Sequence, residues 1–282
     1  MKDADPARQT ARHIVRAEEM MQRRLKEKVA IVTGSGRGLG RAIAEKLARE
    51  GAAVVLNSRT REQLEAVQRE IESFGGRAVI AVGDATNEED INRIVSIARD
   101  VDGRIDILVN NAAHTGVGLS VAEMSVETWD GILRTNLRGP FLFCRAVIPH
   151  LQEQRSGRII NIASLSAKNA LPFASADAAA KAGLLALTRV LAAELGPHNI
   201  TVNAVVPGLV PDTELAREFM QKLGARFGAA PEAMEENMRR RALLGRHPTA
   251  LEIAEAVAFL ASDAASSITA QSINVCGGMS VC

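Results

Sequence analysis

Two rhythms of apolar residues alternate along this chain. Short runs rich in β-branched residues recur at Val29–Thr33, Ala53–Leu56, Arg77–Val82, Ile105–Val109, Arg158–Ile162, Ile200–Val206 and Ser272–Val275, and each has the length of a strand. Between them, apolar spacing of three and four residues predicts helices over about 41–50, 61–74, 88–100, 126–154, 176–194 and 251–262. A strand that is apolar on both sides must be covered on both sides, and a helix of crossover length between successive strands makes them parallel. The pattern therefore predicts an α/β fold. It is a single doubly wound parallel sheet of about seven strands with helices on both faces, in one domain over residues 27–282.

Two stretches depart from the alternation. Residues 1–26 place Ile14, Ala17, Met21 and Leu25 on one stripe among many charges, which predicts an N-terminal helical extension, docked on the body or serving as a subunit contact. Residues from about 209 to 245 mix Leu215, Phe219, Met220, Leu223, Phe227, Met234 and Met238 with charges. An insertion after a strand's carboxyl end lies where open α/β sheets bind ligands. This segment is expected to be a substrate lid, and its apolar content points to a largely apolar small-molecule substrate.

Composition removes several classes of function. With 34 Lys and Arg against 33 Asp and Glu, the net charge of +1 offers no electrostatic footprint for nucleic acid. No apolar run approaches the roughly 18 residues of a membrane span. The charge-dense first 28 residues lack the apolar segment of a secretory signal, so a cytoplasmic location is expected. Cys144, Cys276 and Cys282 form no C-x-x-C pair, so neither a disulfide framework nor a metal site is expected. The most informative count is tyrosine, of which there is none. No phenol of this chain can act as acid, base or hydrogen-bond donor.

Candidate chemistry enters at the first turn. Thr33, Gly34, Ser35, Gly36, Arg37, Gly38, Leu39 and Gly40 stand between the first strand and the first helix. Glycines allow a tight turn and let a pyrophosphate approach the helix N-terminus, whose free N–H groups and positive dipole end favour anions. Gly34, Arg37, Gly38, Leu39 and Gly40 are thus candidate dinucleotide contacts in a Rossmann-type unit. The second strand ends in Asn57-Ser58-Arg59, with no carboxylate to hold a ribose 2′-hydroxyl and repel a 2′-phosphate. Arg59, with Arg37, can instead bind a 2′-phosphate, which favours NADP(H) over NAD(H).

From residue 28 onward the order of motifs resembles the short-chain dehydrogenase/reductase family in its single-domain form, nearest to the 3-oxoacyl-carrier-protein reductase-like members. The resemblance rests on Thr33 to Gly40, Asp84 after the third strand, Asn110-Asn111-Ala112 after the fourth, Asn136, Ser164, Lys181 and Pro207-Gly208. It implies an oxidoreductase with a nicotinamide cofactor, to whose site Asp84, Ala85, Asn111, Lys181, Pro207, Gly208 and Val210 add. It also implies a homodimer or homotetramer, or a hetero-oligomer with a related chain. In such enzymes a serine holds the substrate oxygen and a tyrosine is the acid/base. A lysine four residues later lowers the tyrosine's pKa and binds the nicotinamide ribose, and an asparagine holds a water for proton relay. Ser164, Lys181 and Asn136 match three of these positions. The tyrosine's place is held by Asp177, 13 residues after Ser164 and four before Lys181. Smaller departures lie nearby: Asp212, with Thr213 one step late, stands where a threonine often contacts the nicotinamide carboxamide, and Cys276 stands where aspartate is frequent.

An aspartate brings different chemistry. The reference pKa is near 10 for a phenol and near 3.9 for an aspartate, and a lysine one helical turn away favours the anion. A carboxylate cannot protonate a developing alkoxide, and its charge opposes one. Its polar atoms also fall roughly 3 Å short of a phenol's, from bond lengths near 1.5 Å. It can act as a general base or stabilise a cation such as an iminium. Three functions fit. One is an oxidoreductase acting on a carbonyl, alcohol or imine by a tyrosine-independent proton path. Another is a non-redox lyase, isomerase or cyclase using Asp177 as base or cation stabiliser. The third is an inactive subunit paired with an active homologue, in which Asp177 only caps its helix or pairs with Lys181. His114, beside the expected nicotinamide pocket, reads first as a satisfied loop histidine and second as a spare acid/base candidate, while His13, His150, His198 and His247 are expected at the surface.

Overall fold

The computed structural model describes residues 23–116 and 118–281. Its strands are β1 (Val29–Thr33), β2 (Ala53–Ser58), β3 (Arg77–Val82), β4 (Ile107–Asn110), β5 (Gly157–Ile162), β6 (Ile200–Pro207) and β7 (Ser272–Val275). They form one seven-stranded sheet in the order β3-β2-β1-β4-β5-β6-β7, and every pair is parallel. The order reverses between β1 and β4, so a crevice opens beyond their carboxyl ends.

The connecting helices are α1 (Gly38–Arg49), α2 (Arg61–Ser73), α3 (Glu88–Asp102), α4 (Val126–Leu133), α5 (Gly139–Gln154), α6 (Ser175–Leu195), α7 (Glu214–Phe227), α8 (Pro231–Arg241) and α9 (Ala250–Ala261). Alternate strand residues face opposite layers. Ala30, Val32, Val54, Leu56, Ile107 and Val109 pack with Ile43 and Leu47 of α1, Leu64 and Ile71 of α2, and Ile253 and Val257 of α9. Val29, Ile31, Val55, Leu108, Ile159 and Val202 pack with Ile91 and Ile94 of α3, Phe143 and Val147 of α5, and Leu191 and Leu195 of α6. Full burial of each such aliphatic side chain stabilises the fold by about 1.5–3 kcal/mol.

The expected architecture is met, with three shifts that have physical reasons. The first helix starts at Gly38 rather than near residue 41, because the cradle glycines form its first turn. The fourth strand starts two residues later than the apolar run, because the Gln154 side chain takes up both backbone groups of Ile105, at 3.0 and 2.6 Å. The single helix expected over 126–154 is divided by a wide π turn at Arg134–Arg138. In a regular helix the Pro140 ring would strike the carbonyl of Asn136, four residues earlier, and Pro140 has no N–H to give it. The wide turn removes that conflict and leaves Asn136 fully buried.

Residues 1–22 of the expected N-terminal extension lie outside the described residues. Residues 23–27 form a turn rather than a helix, in which Leu25 is buried in the α1 layer and donates its N–H to the Glu50 carbonyl. The expected lid is the helical hairpin α7–α8. Among the described residues no helix is long and apolar enough to cross a membrane.

Candidate functional site

The carboxyl ends of β1 and β4 are stitched together by Asn111. Its N–H donates to Thr33 Oγ1 at 2.9 Å, and its Nδ2 donates to the carbonyls of Thr33 at 2.9 Å and Gly34 at 3.2 Å. This tight floor explains the glycines above it. Gly34 has φ +65°, and a Cβ there would lie 2.9 Å from Ala112 Cα; a Cβ on Gly40 would lie 2.1 Å from the Gly34 carbonyl oxygen and 2.5 Å from Asn111 Nδ2. Only hydrogen fits at either place. No side chain caps the N-terminus of α1, so its first N–H groups face the crevice as an anion site would require.

The remaining cofactor candidates surround this cradle. Arg37 forms an ion pair with Glu214 at the start of α7. Arg59 is exposed and makes no ion pair or hydrogen bond among the described residues. Asn57 is turned toward β3, donating to the carbonyls of Ala81 and Gly83, both at 3.1 Å. Asp84 Oδ1 accepts from the N–H and the hydroxyl of Thr86, both at 2.8 Å, and so closes the turn after β3. The Ala85 carbonyl abuts α5, where a Cβ on Gly139 would lie 2.7 Å from it. Across the crevice Pro207 ends β6, and a Cβ on Gly208 would lie 3.0 Å from Cys276 Cα. The buried Val210 accepts at its carbonyl from the N–H and hydroxyl of Thr213. Thr213 caps α7 and places Cγ2 within 3.5 Å of where a Cβ on Gly38 would be. Thr213 therefore reaches the cradle, while Asp212, at the expected threonine position, is exposed.

A second cluster gathers on one carboxylate. Asp177, in the first turn of α6, accepts from Asn136 Nδ2 on Oδ1 at 3.0 Å and from Ser166 Oγ on Oδ2 at 2.6 Å. Ser166 Oγ lies 2.9 Å from Ser164 Oγ, and the Ser166 N–H donates to Ser164 Oγ at 3.2 Å. Asn136 is fixed in turn by the backbone of His114: its Oδ1 accepts from the His114 N–H at 2.8 Å and its Nδ2 donates to the His114 carbonyl at 2.9 Å. The loop after β4, the wide turn, the turn after β5 and α6 thus meet at Asp177.

Two expectations are corrected here. Asp177 caps nothing, since α6 has no side-chain cap. Nor does it pair with Lys181. The Lys181 ammonium donates to the Ile162 carbonyl at 2.7 Å, and no ion pair joins it to Asp177 among the described residues. The geometric reason is that Ser166 and Asn136 draw the carboxylate away. Lys181 is only 5% exposed, and burial pushes its ammonium below the ordinary lysine range, with the charge of Asp177 opposing that shift. A lysine held below its unfolded pKa binds fewer protons when folded, so its contribution to stability rises with pH in the window beneath about 10.4. The stability of the parent should therefore gain on that of a Lys181→Met variant as pH rises from 8 to 10, by thermal unfolding; parallel curves would contradict this.

Ser166 escaped the reading of the sequence. The available signal was a second hydroxyl two residues beyond Ser164, a serine that caps the short turn Leu165–Ala167 by accepting from the Ser166 N–H. His114 contributes its backbone N–H and carbonyl, and the residue is exposed. His247, expected at the surface, is half-buried with Nε2 3.3 Å from the Glu235 carbonyl, and His150 and His198 are half-buried too.

Helix α7 spans these two clusters. Its start is tied to the cradle by Arg37 and Glu214. Its end is tied to the loops beside Asp177: Arg226 lies 4.5 Å over the Phe173 ring and 2.9 Å from Glu123, and Phe227 meets Phe173 edge-on at 5.5 Å.

Comparison with known proteins agrees with this arrangement. A family model described as enoyl-(acyl carrier protein) reductase matches residues 34–280. The 3-oxoacyl-acyl-carrier-protein reductase of Aquifex aeolicus is 38% identical over 261 residues, covering 92% of this chain and 100% of the relative. A variant of the actinorhodin polyketide ketoreductase, solved with NADPH, superposes with a TM-score of 0.85 at 35% identity over 89% of this chain and 97% of its own. An NAD+-bound xylitol dehydrogenase does so with a TM-score of 0.86 at 32% identity, over 90% and 99%. Sheet order, glycine cradle and near-complete mutual coverage lead to one conclusion: the chain belongs to the short-chain dehydrogenase/reductase family, among its ketoacyl-reductase-like oxidoreductases.

Proposed function

We propose that this protein is an NADP(H)-dependent oxidoreductase acting on a carbonyl, alcohol or imine of a largely apolar small molecule, in which Asp177 carries the proton that a phenol would carry. The observation behind this reading is the placement of the Asp177 carboxylate. Both its oxygens are engaged by Asn136 and Ser166 at the foot of the crevice, and neither bland role, cap or ion pair, is taken up.

The residues present fit a nicotinamide dinucleotide. A Cβ would fill the cradle at Gly34 and Gly40. Lys181 is a buried ammonium with one backbone acceptor, which leaves two of its three donors for a ribose. Gly34, Arg37, Gly38, Leu39 and Gly40 would hold the pyrophosphate, and Arg59 with Arg37 the 2′-phosphate. Asp84 and Ala85 would flank the adenine end, Asn111 and Lys181 the nicotinamide ribose, and Pro207, Gly208 and Val210 the ring. When bound, this group supplies or accepts a hydride.

The chain's own residues manage the oxygen and its proton. Half-exposed Ser164 holds the substrate oxygen. Asp177 takes the alcohol proton in the oxidising direction and returns it in the reducing direction. Asn136 holds the carboxylate and the loop after β4 in register. An iminium would arrive with its own proton and need only the nearby anion. Phe141 and Val190, on the two long helices α5 and α6, are 45% and 53% exposed, which supports a homodimer or homotetramer.

The test is direct. NADPH fluorescence titration reports binding, and a panel of 3-oxoacyl thioesters, cyclic ketones and cyclic imines reports turnover. Binding with turnover supports the reading; binding with no turnover across the panel overturns it in favour of an inactive or non-redox member. Arg59→Ala should weaken NADPH binding by about 10- to 100-fold, the loss of roughly 1.5–3 kcal/mol from a charged hydrogen bond, and leave NADH binding unchanged. Equal loss for both nucleotides would remove the argument for NADP(H).

A further inference from the structure

We infer that Ser166 is a proton-relay residue that joins Ser164 to Asp177 and restores the reach lost when a carboxylate stands in a phenol's place. The inference rests on the oxidoreductase reading above and deepens it. A carboxylate on α6 falls roughly 3 Å short of where a phenol oxygen would lie. One hydroxyl with a hydrogen bond on each side spans such a gap, and Ser166 Oγ stands 2.6 Å from Asp177 Oδ2 and 2.9 Å from Ser164 Oγ.

The donors and acceptors give this chain a direction. A carboxylate only accepts, so the single Ser166 proton points to Asp177. The Ser164 proton then points to Ser166. Ser164 Oγ also accepts from the Ser166 N–H, which leaves it one lone pair for a substrate. A substrate alcohol donates to that lone pair. Every O–H along the line thus points from the substrate toward Asp177, the sense needed for alcohol oxidation. Burial agrees with the assignment: Ser166, in the middle of the line, is 8% exposed, whereas Ser164 and Asp177 at its two ends are half-exposed.

The step moves one proton. The alcohol O–H bond breaks and its proton goes to Ser164 Oγ. The former Ser164 proton goes to Ser166 Oγ, and the former Ser166 proton to Asp177 Oδ2. The products are a carbonyl, two neutral serine hydroxyls and one carboxylic acid; a bound oxidised nicotinamide would take up the hydride that balances the oxidation. Reduction is the same path reversed.

The experiment uses the full-length protein with NADP+ and the 3-hydroxybutyryl thioester of N-acetylcysteamine. Ser166→Ala should lower kcat on the order of 100-fold, with KM and NADPH affinity within about twofold. Ser166→Thr, which keeps the hydroxyl, should recover most of the rate. The parent's proton inventory in mixed light and heavy water should be bowed, as for several protons in flight, and linear in Ser166→Ala. In the nucleotide-free protein, the carboxylate stretch isolated as the parent-minus-Asp177→Asn infrared difference should shift in Ser166→Ala. A Ser166→Ala variant within twofold of an active parent, or with an unchanged inventory, or with no infrared shift, overturns the relay alone. A parent inert on this thioester and across the whole panel above overturns the reading of function on which it rests, and the relay with it.

Discussion

Asp177→Asn should lower turnover of a carbonyl or alcohol substrate by about 10²- to 10⁴-fold, the range for removal of a general acid–base, with NADPH affinity within about twofold. The substitution keeps the shape of the side chain and removes its capacity to take a proton. It also presents an amide nitrogen to one of two donors, Asn136 Nδ2 or Ser166 Oγ, so one donor loses its acceptor. That loss is about 1–3 kcal/mol of stability and should appear in thermal unfolding without abolishing the fold. Asp177→Tyr separates two causes of any low activity. A phenol there supplies the proton donor that matches Ser164 and Lys181 in the family pattern. If it raises ketone reduction while Asn abolishes it, the aspartate is a working but different proton carrier. An Asn variant as fast as the parent removes Asp177 from the proton path.

Gly40→Ala should abolish NADPH binding and lower the unfolding temperature by about 6–12 °C, from an overpacking penalty of roughly 3 kcal/mol at 2–4 °C each. The new methyl would sit 2.1 Å from the Gly34 carbonyl oxygen and 2.5 Å from Asn111 Nδ2. The carbonyl is backbone, and Asn111 is already tied to β1 at 2.9 Å. The cradle can admit a Cβ only by opening the stitch between β1 and β4, which is the floor of the site. Gly131→Ala is the matched control: it lies in α4 with nothing within 4 Å of its added Cβ. It should be neutral or stabilising by about 0.5–1 kcal/mol, the helical preference for alanine. Equal behaviour of the two variants would refute the steric account of the cradle.

What the sequence disclosed and what it hid follow from the range of the forces involved. The sheet was legible because an apolar strand sandwiched between helix layers writes its burial on consecutive residues, as Val29 to Val32 do. The division of the long helix has a weak signal in Pro140, whose ring disfavours a regular turn over Asn136, but Pro149 sits inside α5 without dividing it, and apolar spacing runs straight across both prolines. At the site, local order put Ser164 on the turn after β5 and Asp177 and Lys181 on α6, where the structure has them, and gave the wrong partner. A spacing of four predicts a contact between Asp177 and Lys181. The fold instead offers Asp177 two donors from distant segments, Asn136 and Ser166, and gives Lys181 the Ile162 carbonyl. Competition among tertiary partners leaves no trace in spacing. Thr213 shows the same limit, since its place beside Gly38 depends on how α7 meets the cradle.

The proposal turns on one claim: a chain without tyrosine catalyses hydride transfer, with a carboxylate managing the proton. The measurement that tests it most directly is deuterium transfer from NADPH labelled at C4 to a 3-oxoacyl thioester, with the carbinol product read by mass spectrometry. The account predicts one deuterium at the new carbinol carbon with the parent and its near-total loss with Asp177→Asn. Tight NADPH binding with no label transferred to this or any other carbonyl or imine of the panel, or transfer that persists undiminished without the carboxylate, would contradict it.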